Sequence, residues 1–394
     1  MPSPDNIYCM KKLPRIILMV EPLGEYLQGL LRGIAQYSNS NGPWVFYREP
    51  GKHEGTLPQL NPEEADGVIA KIANTAGARK KLPRTVPVIL IGYREIIPEM
   101  PQIFGDTEAI GKVAAEYFLN KGFRNFAFCG FDEFHWSRER GKSFKLFLEN
   151  KGYKVHLYRN LKGAMRKSWQ LEQQDLAKWL RTLPKPVAIL ACNDDRGQHL
   201  ISACKLGKMR IPDEISVLGV DNDKFVCSLT YPPLSSIALG TERAGYEAAQ
   251  LLAKMMQMKK FINSSIMVRP THVITRQSTD IIAAEDTLLS EAINYIQKHS
   301  NMDISVDDVA GEVMVSRRSL ERKFRRQLNK SIYDEIRRIR VNRIISMLLE
   351  TDLTIAQIGL AMGFKDITHT GRYFKEETGL SPLAYRRKFI NQSL

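Results

Sequence analysis

Thr354-Ile-Ala-Gln-Ile-Gly-Leu-Ala-Met-Gly363-Phe-Lys-Asp-Ile-Thr-His-Thr-Gly-Arg-Tyr-Phe374-Lys is the stretch from which the fold of the C-terminal part is read. Thr354 is a residue type that caps helices, because its hydroxyl accepts from amides left open in a first turn. An apolar-periodic run follows to Ala361, Gly363 supplies a turn, and a second run covers Asp366–Glu377. Ile355, Ile358, Phe364 and Phe374 fall on the inside of both segments. Two short helices sharing an apolar seam across a glycine turn predict a helix–turn–helix. Its second helix carries Thr368, His369 and Arg372 on the polar face.

The same pattern stands upstream. Val306–Val313 and Ser316–Leu328 form a second pair, with Val309, Val313, Leu320 and Phe324 as the seam and Ser305, Ser316 and Asn329 as boundary residues. Ile332–Leu349 reads as one long helix between the pairs. A recognition helix needs a buried stripe to hold it and outward donors for phosphates and base edges. Arg317, Arg318, Glu321, Arg322 and Arg325 provide that outer face in the upstream pair. From Ser316 to Arg343 there are 11 basic residues against Glu321, Asp334 and Glu335. The plainer alternative is a solvated basic face. His369 alone is as often structural as functional, and no second ligand stands near it to suggest a metal.

The stretch Ala361–Lys375, followed by Gly379-Leu-Ser-Pro-Leu-Ala-Tyr-Arg386, resembles the signature of AraC/XylS-type DNA-binding domains over about 105 residues. The resemblance implies two recognition helices entering successive major-groove segments on one face of a double-stranded operator, roughly 34 Å apart. This chain departs from the pattern at Thr370, where the family prefers an aromatic, and at Gly371, inside the second recognition helix, where glycine costs about 1 kcal/mol.

Up to residue 276 the style is different. Short apolar runs at Ile16–Val20, Val45–Arg48, Gly67–Ala70, Val88–Ile91, Phe126–Cys129, Val155–Tyr158, Val187–Ala191 and Ile215–Val220 alternate with helical periodicity. Ile110, Val113, Ala114, Tyr117 and Phe118 share one helical face, as do Ala244, Ala248, Leu251, Leu252 and Met255. Near-continuous apolar strands predict parallel sheets covered on both sides, and the length suits two of them. The expected organisation is a sensor over 1–276, a linker over 277–287 and a DNA-binding domain over 288–394.

Ile215-Ser-Val-Leu-Gly-Val-Asp221-Asn-Asp, followed by Tyr231-Pro-Pro-Leu-Ser-Ser-Ile, resembles the core of LacI/GalR repressors and periplasmic sugar-binding proteins. Asp106 with Gly111, Ser137-Arg-Glu-Arg140-Gly-Lys-Ser-Phe and Cys192-Asn193-Asp194 extend the resemblance over residues 15–276. It implies an α/β, two-lobed periplasmic-binding-protein-like sensor in which Asp106, Arg140, Asn193, Asp194 and Asp221 converge on a sugar. Carboxylates and a planar guanidinium bind adjacent hydroxyls in pairs, and the charge strengthens each bond in a dry site. Trp136 would cover an apolar sugar face, although core packing suits it equally, as it does Glu21. Asp195 reads as a helix-start residue acting on the dipole. The combination of a LacI-like sensor and an AraC-type reader implies a regulator of pentose use. Xylose or another pentose is the expected effector, two copies pair, and RNA polymerase is the protein partner.

Composition limits the alternatives. Apolar residues make up 43% and charged residues 25%, as in ordinary globular chains. No apolar run approaches the roughly 20 residues of a membrane span, and the start lacks the order of a signal peptide. Five cysteines without a CxxC pair argue against a disulfide framework or zinc site, and the chain reads as cytoplasmic. Net charge is +14, but residues 1–284 carry +11 of it, so the global excess marks no domain. Gly141-Lys142-Ser143 fails as a phosphate loop because Trp136 stands at the required upstream glycine. HExxH, GxSxG and GxGxxG are absent. No enzyme, cofactor or metal is expected. A sugar-processing enzyme or a constitutive DNA binder with a dimerising N-terminal part remain as alternatives, separated by sugar turnover and by insensitivity of DNA binding to sugar.

Overall fold

The computed structural model describes residues 13–20, 24–48, 64–71, 82–83, 85–92, 100–158, 168–258, 262, 264–281, 287–328, 330–351, 353–364 and 367–389. In chain order the elements are β1 (Arg15–Met19), α1 (Gly24–Asn41), β2 (Val45–Arg48), β3 (Gly67–Ala70), β4 (Val88–Ile91), β5 (Gln102–Gly105) and α2 (Thr107–Asn120). Then come β6 (Asn125–Cys129), α3 (His135–Glu149), β7 (Val155–Leu157), α4 (Trp169–Thr182), β8 (Val187–Ala191), α5 (Asp194–Leu206), β9 (Ile215–Asp221) and α6 (Lys224–Leu229). The α/β part closes with β10 (Ser235–Leu239), α7 (Thr241–Met258), β11 (Ser265–Val268), β12 (Pro270–Ile274) and a 3₁₀ turn at Gln277–Thr279. The rest is helical: α8 (Thr287–Lys298), α9 (Val306–Glu312), α10 (Arg317–Leu328), α11 (Ile332–Glu350), α12 (Ile355–Ala361), α13 (Ile367–Thr378) and α14 (Pro382–Phe389).

Two compact units result, residues 1–106 with 240–269, and residues 107–239 with 270–394. The first holds a parallel sheet of order β11-β5-β4-β3-β1-β2. β3 and β4 are buried at every position, which is why their sequences are unbroken Val, Ile, Leu, Ala and Gly. On this sheet α1 and α7 cross with their backbones in contact. A Cβ on Gly33 would fall inside the Glu242 carbonyl and one on Gly245 inside the Leu30 carbonyl. Only glycine permits that approach.

The second unit carries the sheet β12-β10-β9-β8-β6-β7, parallel except for β12. Phe118, Phe126 and Phe144 pack on one face, Leu176, Leu180, Leu200 and Cys204 on the other. Because β7 and β8 lie on opposite sides of β6, the strand order switches direction there, and beyond the carboxyl ends of β6 and β8 is the position where open α/β sheets bind ligands. The packing of this unit continues past residue 276. Ser278 and Thr279 are fully buried, and Ile281 rests on the aromatic core, so the first part of the expected linker belongs to the sensor's structure.

The C-terminal helices make two small cores. Leu289, Ile293, Val309, Leu320, Phe324, Ile332 and Ile336 form one; Val341, Ile344, Leu348, Ile358, Met362 and Phe374 form the other. The long α11 contributes to both. Capping boxes start α9 (Ser305 with Asp308), α11 (Ser331 with Asp334) and α12 (Thr354 with Gln357). Ser316 caps α10 by accepting from the Ser319 amide at 3.3 Å. Asn329 and Glu21 lie outside the described residues.

Candidate effector site and nucleic-acid interface

In the second unit the predicted polar residues gather at the carboxyl ends of the adjacent strands β6, β8 and β9. Arg140, on α3, is only 4% exposed. Its Nη1 donates to the Cys192 carbonyl, and its guanidinium lies 5.3 Å from the centre of the Trp136 ring. No carboxylate among the described residues pairs with it, and its Nε is buried without a partner among them. A buried cation in that condition is costly unless something else supplies acceptors.

Asn193 and Asp194 start α5. The Asn193 amide oxygen accepts from the Arg196 backbone at 3.1 Å while its NH₂ donates to Asp195 at 3.0 Å. Asp195 thus serves the helix start. Asp194 is 2% exposed; one oxygen accepts from the Ser236 hydroxyl and the other from the Asp223 amide, both at 2.6 Å. Burial, reinforced by the neighbouring charge of Asp221, pushes the Asp194 carboxyl well above the usual range, while these two hydrogen bonds oppose the rise. Asp221 ends β9 with a backbone φ of 103°, a region that non-glycine residues seldom occupy. Asp106 belongs to the first unit. It follows β5, its amide donates to the Val268 carbonyl, and its carboxylate lies 4.0 Å from Arg269.

Trp136 is 36% exposed and stacks on Phe134 with rings 5.7 Å apart and 15° from parallel. The sequence reading missed Phe134, which precedes α3 as its N-cap residue. It also missed Trp169, half exposed at the first position of α4 and set edge-on to His199 at 4.7 Å. Arg196 is fully buried between the Phe131 ring, at 4.6 Å, and Tyr158, and pairs with Glu172. The aromatic spacing along α3 and α4 was visible in the sequence, but nothing in it tied the two helices together. Apolar ring faces beside a carboxylate and a guanidinium suit a ligand with C–H faces and several hydroxyls.

The candidate nucleic-acid interface is built on α10 and α13. Arg318, Arg322 and Arg325 repeat at i, i+4 and i+7 and are exposed, while Leu320 and Phe324 are buried on the opposite side. Arg317 is exposed and reaches Asp307 at 3.3 Å; Arg326 adds an exposed cation that the sequence reading omitted. Glu321 is half-buried and accepts from the Ile332 amide at 3.5 Å, so it turns toward the start of α11. The local charge count overstates the interface. Arg337 pairs with Glu376 and Glu377, Arg338 with Glu335, and the buried Arg340 with the Met362 carbonyl. These three cations hold the domain together.

Arg372 is exposed on α13. Thr368 and His369 sit in the first turn of that helix, with side chains outside the described residues. Thr370 is fully buried against α12: a Cβ on Gly359 would stand 2.8 Å from its Oγ1. The small residue therefore fits a close helix–helix approach that leaves no room for an aromatic. Around Gly371 a Cβ meets nothing within 4 Å. Gly371→Ala is expected to stabilise the domain by about 0.5–1 kcal/mol, read as a higher urea midpoint, with operator affinity unchanged. A loss of affinity would instead place the Gly371 backbone against DNA.

Comparison with known proteins agrees with this division. Residues 115–279 match the periplasmic binding protein-like domain family and residues 309–388 a helix-turn-helix domain family. The xylose operon regulatory protein of Haemophilus influenzae is 31% identical over 382 residues, covering 94% of this chain and 98% of its own. The protein of that name from Escherichia coli is 29% identical, covering 93% of each. Among solved structures, the xylose-binding transcription activator xylR aligns over 96% of this chain and 99% of its own, with a TM-score of 0.61 and 28% identity.

Proposed function

The chain belongs to the family of xylose operon regulatory proteins, and from that premise we propose that it activates genes for pentose use with xylose as its effector. It is a sugar-responsive regulator that binds DNA through a C-terminal helix-turn-helix domain. The observation that carries the effector reading is Arg140, a buried guanidinium without an acidic partner among the described residues, beside the exposed Trp136 ring. A sugar's hydroxyl oxygens supply the missing acceptors while its C–H face covers the indole. Asp221 accepts from other hydroxyls, and Asn193 is within the same strand-end cluster. Asp194 acts through the loop it holds. Two copies present two readers to paired half-sites on a double-stranded operator, with RNA polymerase recruited beside them, in the cytoplasm.

In this reading α10 supplies phosphate contacts through Arg317, Arg318, Arg322 and Arg325, and α13 supplies base contacts through Thr368, His369 and Arg372. The test is operator affinity measured with xylose, other pentoses and hexoses. Xylose is expected to shift affinity by about 5- to 150-fold, the range of ordinary allosteric couplings, with smaller shifts from the other sugars. Affinity that ignores every sugar overturns the sensor reading in favour of constitutive DNA binding, and consumption of sugar by the protein would revive an enzyme.

A further inference from the structure

The loop that carries Asp221 is fastened to the segment that leads into the DNA reader. Asn222, next in sequence, donates its amide to the Ser236 hydroxyl at 3.0 Å and accepts at Oδ1 from Arg276 Nη2 at 2.9 Å. Arg276 also donates from Nη1 to the Leu234 carbonyl at 2.9 Å and from its backbone amide to the Ser235 hydroxyl at 2.7 Å. One planar guanidinium therefore spans the effector loop and the edge of β10, a two-pronged grip that a lysine ammonium does not reproduce.

The strap Thr275–Ile281 is tied down at several points. Ser278 donates to the Val217 carbonyl on β9 at 2.6 Å, and Thr279 donates to the Ser235 hydroxyl at 2.7 Å. The Tyr117 hydroxyl meets Thr279 at 2.6 Å and Thr275 at 2.9 Å. One turn on, Lys121 donates to the Ile281 carbonyl at 3.4 Å with its ammonium 5.3 Å from the Tyr117 ring. This lysine is 4% exposed. The charges that reach it are Asp280 on the strap and Glu335 and Arg338 on α11, the long helix of the reader. Burial brings its ammonium down to about 8, Asp280 and Glu335 raise it and Arg338 lowers it. Glu335 is itself only 2% exposed and is gripped by Arg338, with Nε at 2.8 Å.

We propose that the strap Thr275–Ile281 transmits effector occupancy to the reader: Arg276 senses the position of the Asp221–Asn222 loop at one end, and Lys121 holds the strap at the Ile281 carbonyl, from which the chain runs on to the reader, at the other. Both are positioning residues that touch neither sugar nor DNA. The inference rests on the reading that the sugar binds at the Asp221 loop.

The experiment uses the full chain and reads two quantities separately, xylose affinity by calorimetry and the ratio of operator affinities with and without xylose. Lys121→Met keeps length and removes the charge; Arg276→Lys keeps charge and removes the fork. Lys121→Met is expected to bind xylose within about threefold of wild type, and in both variants the operator ratio is expected to fall to within twofold of one. Lys121→Arg is expected to restore most of that ratio, which a merely structural loss would not permit. The double variant is expected to lose no more than either single one, because residues on one path are not additive. Where Arg276→Lys fails to fold, Lys121→Met decides alone. A full operator ratio in Lys121→Met, or additive losses in the double variant, overturns the strap. Absence of xylose binding in the wild type overturns the underlying effector reading instead.

Discussion

Asp221→Ala is expected to abolish the thermal stabilisation that xylose gives the wild-type protein. A ligand held only by the native state stabilises it by mass action, about 2.7 kcal/mol at a hundred times its dissociation constant, and the variant loses that increment. The backbone gives the reason for choosing this residue. Holding an aspartate at φ 103° costs about 1–3 kcal/mol, and such strain persists where the surroundings over-determine it and the geometry is used. The hydrogen bonds that over-determine this loop are present: Asp194 grips the Asp223 amide, and Ser236 and Arg276 grip Asn222. Alanine tolerates positive φ less well than aspartate or asparagine, so Asp221→Ala is expected to melt lower even without sugar. Asp221→Asn separates the two effects. It keeps the backbone preference, removes the charge that raises the Asp194 carboxyl, and is expected to retain the wild-type apo melting point or exceed it, with xylose affinity at least tenfold weaker. Asp195→Ala, at a carboxylate engaged with Asn193, is expected to keep the sugar-dependent shift. Scanning fluorimetry across a xylose titration checks all three. An undiminished shift in a folded Asp221→Asn removes Asp221 from the effector site.

What the sequence disclosed and what it withheld follow from where each signal comes from. β3, β4 and β8 were legible because strands covered on both faces must be apolar throughout. β5 was not, because Gln102-Ile-Phe-Gly is four residues with a polar start, nor was β11, whose alternate positions are exposed at the sheet edge. The return strand β12 opens with a proline, which argues against a strand on sequence grounds, yet it sits on the sheet edge where the missing amide costs little. Asn193, Asp194 and Asp221 were legible as residue types at strand ends, and Arg140 as a cation in the segment after β6. Their division of labour was not, since sequence cannot say which oxygen of Asp194 is already engaged. The cation count from Ser316 to Arg343 failed for the same reason. Arg337, Arg338 and Arg340 look like α10's arginines until their partners are known. The absence of Gly and Pro over 277–287 suggested an ordered segment, but the partners of the strap carried no signal, because serine and threonine hydroxyls buried by long-range partners look like ordinary loop residues.

Replacing Arg318 and Arg322 together by alanine is expected to weaken operator binding about 30-fold at 0.15 M salt. Each phosphate contact contributes roughly 0.9 to the slope of log affinity against log salt, and this contribution extrapolates to zero near 1 M. Two contacts therefore account for a slope change of about 1.8 and, at 0.15 M, for about 1.5 decades of affinity. Both side chains are exposed on the face opposite Leu320 and Phe324, so truncation leaves the helix seated and the domain's stability within about 0.5 kcal/mol of wild type. Arg337→Ala removes the same charge from the same basic stretch, but from a side chain that clasps Glu376 and Glu377. It is expected to lower stability and leave the salt slope nearly unchanged. The contrast decides whether affinity follows net charge or placement. Equal slope changes in the two variants would mean a diffuse basic field, with α10 no more a reader than any other positive surface. A slope change confined to Arg318 and Arg322 assigns the phosphate grip to one helical face, because a cation clasped by two carboxylates, as Arg337 is, displaces fewer of the duplex's counterions than an outward-facing one.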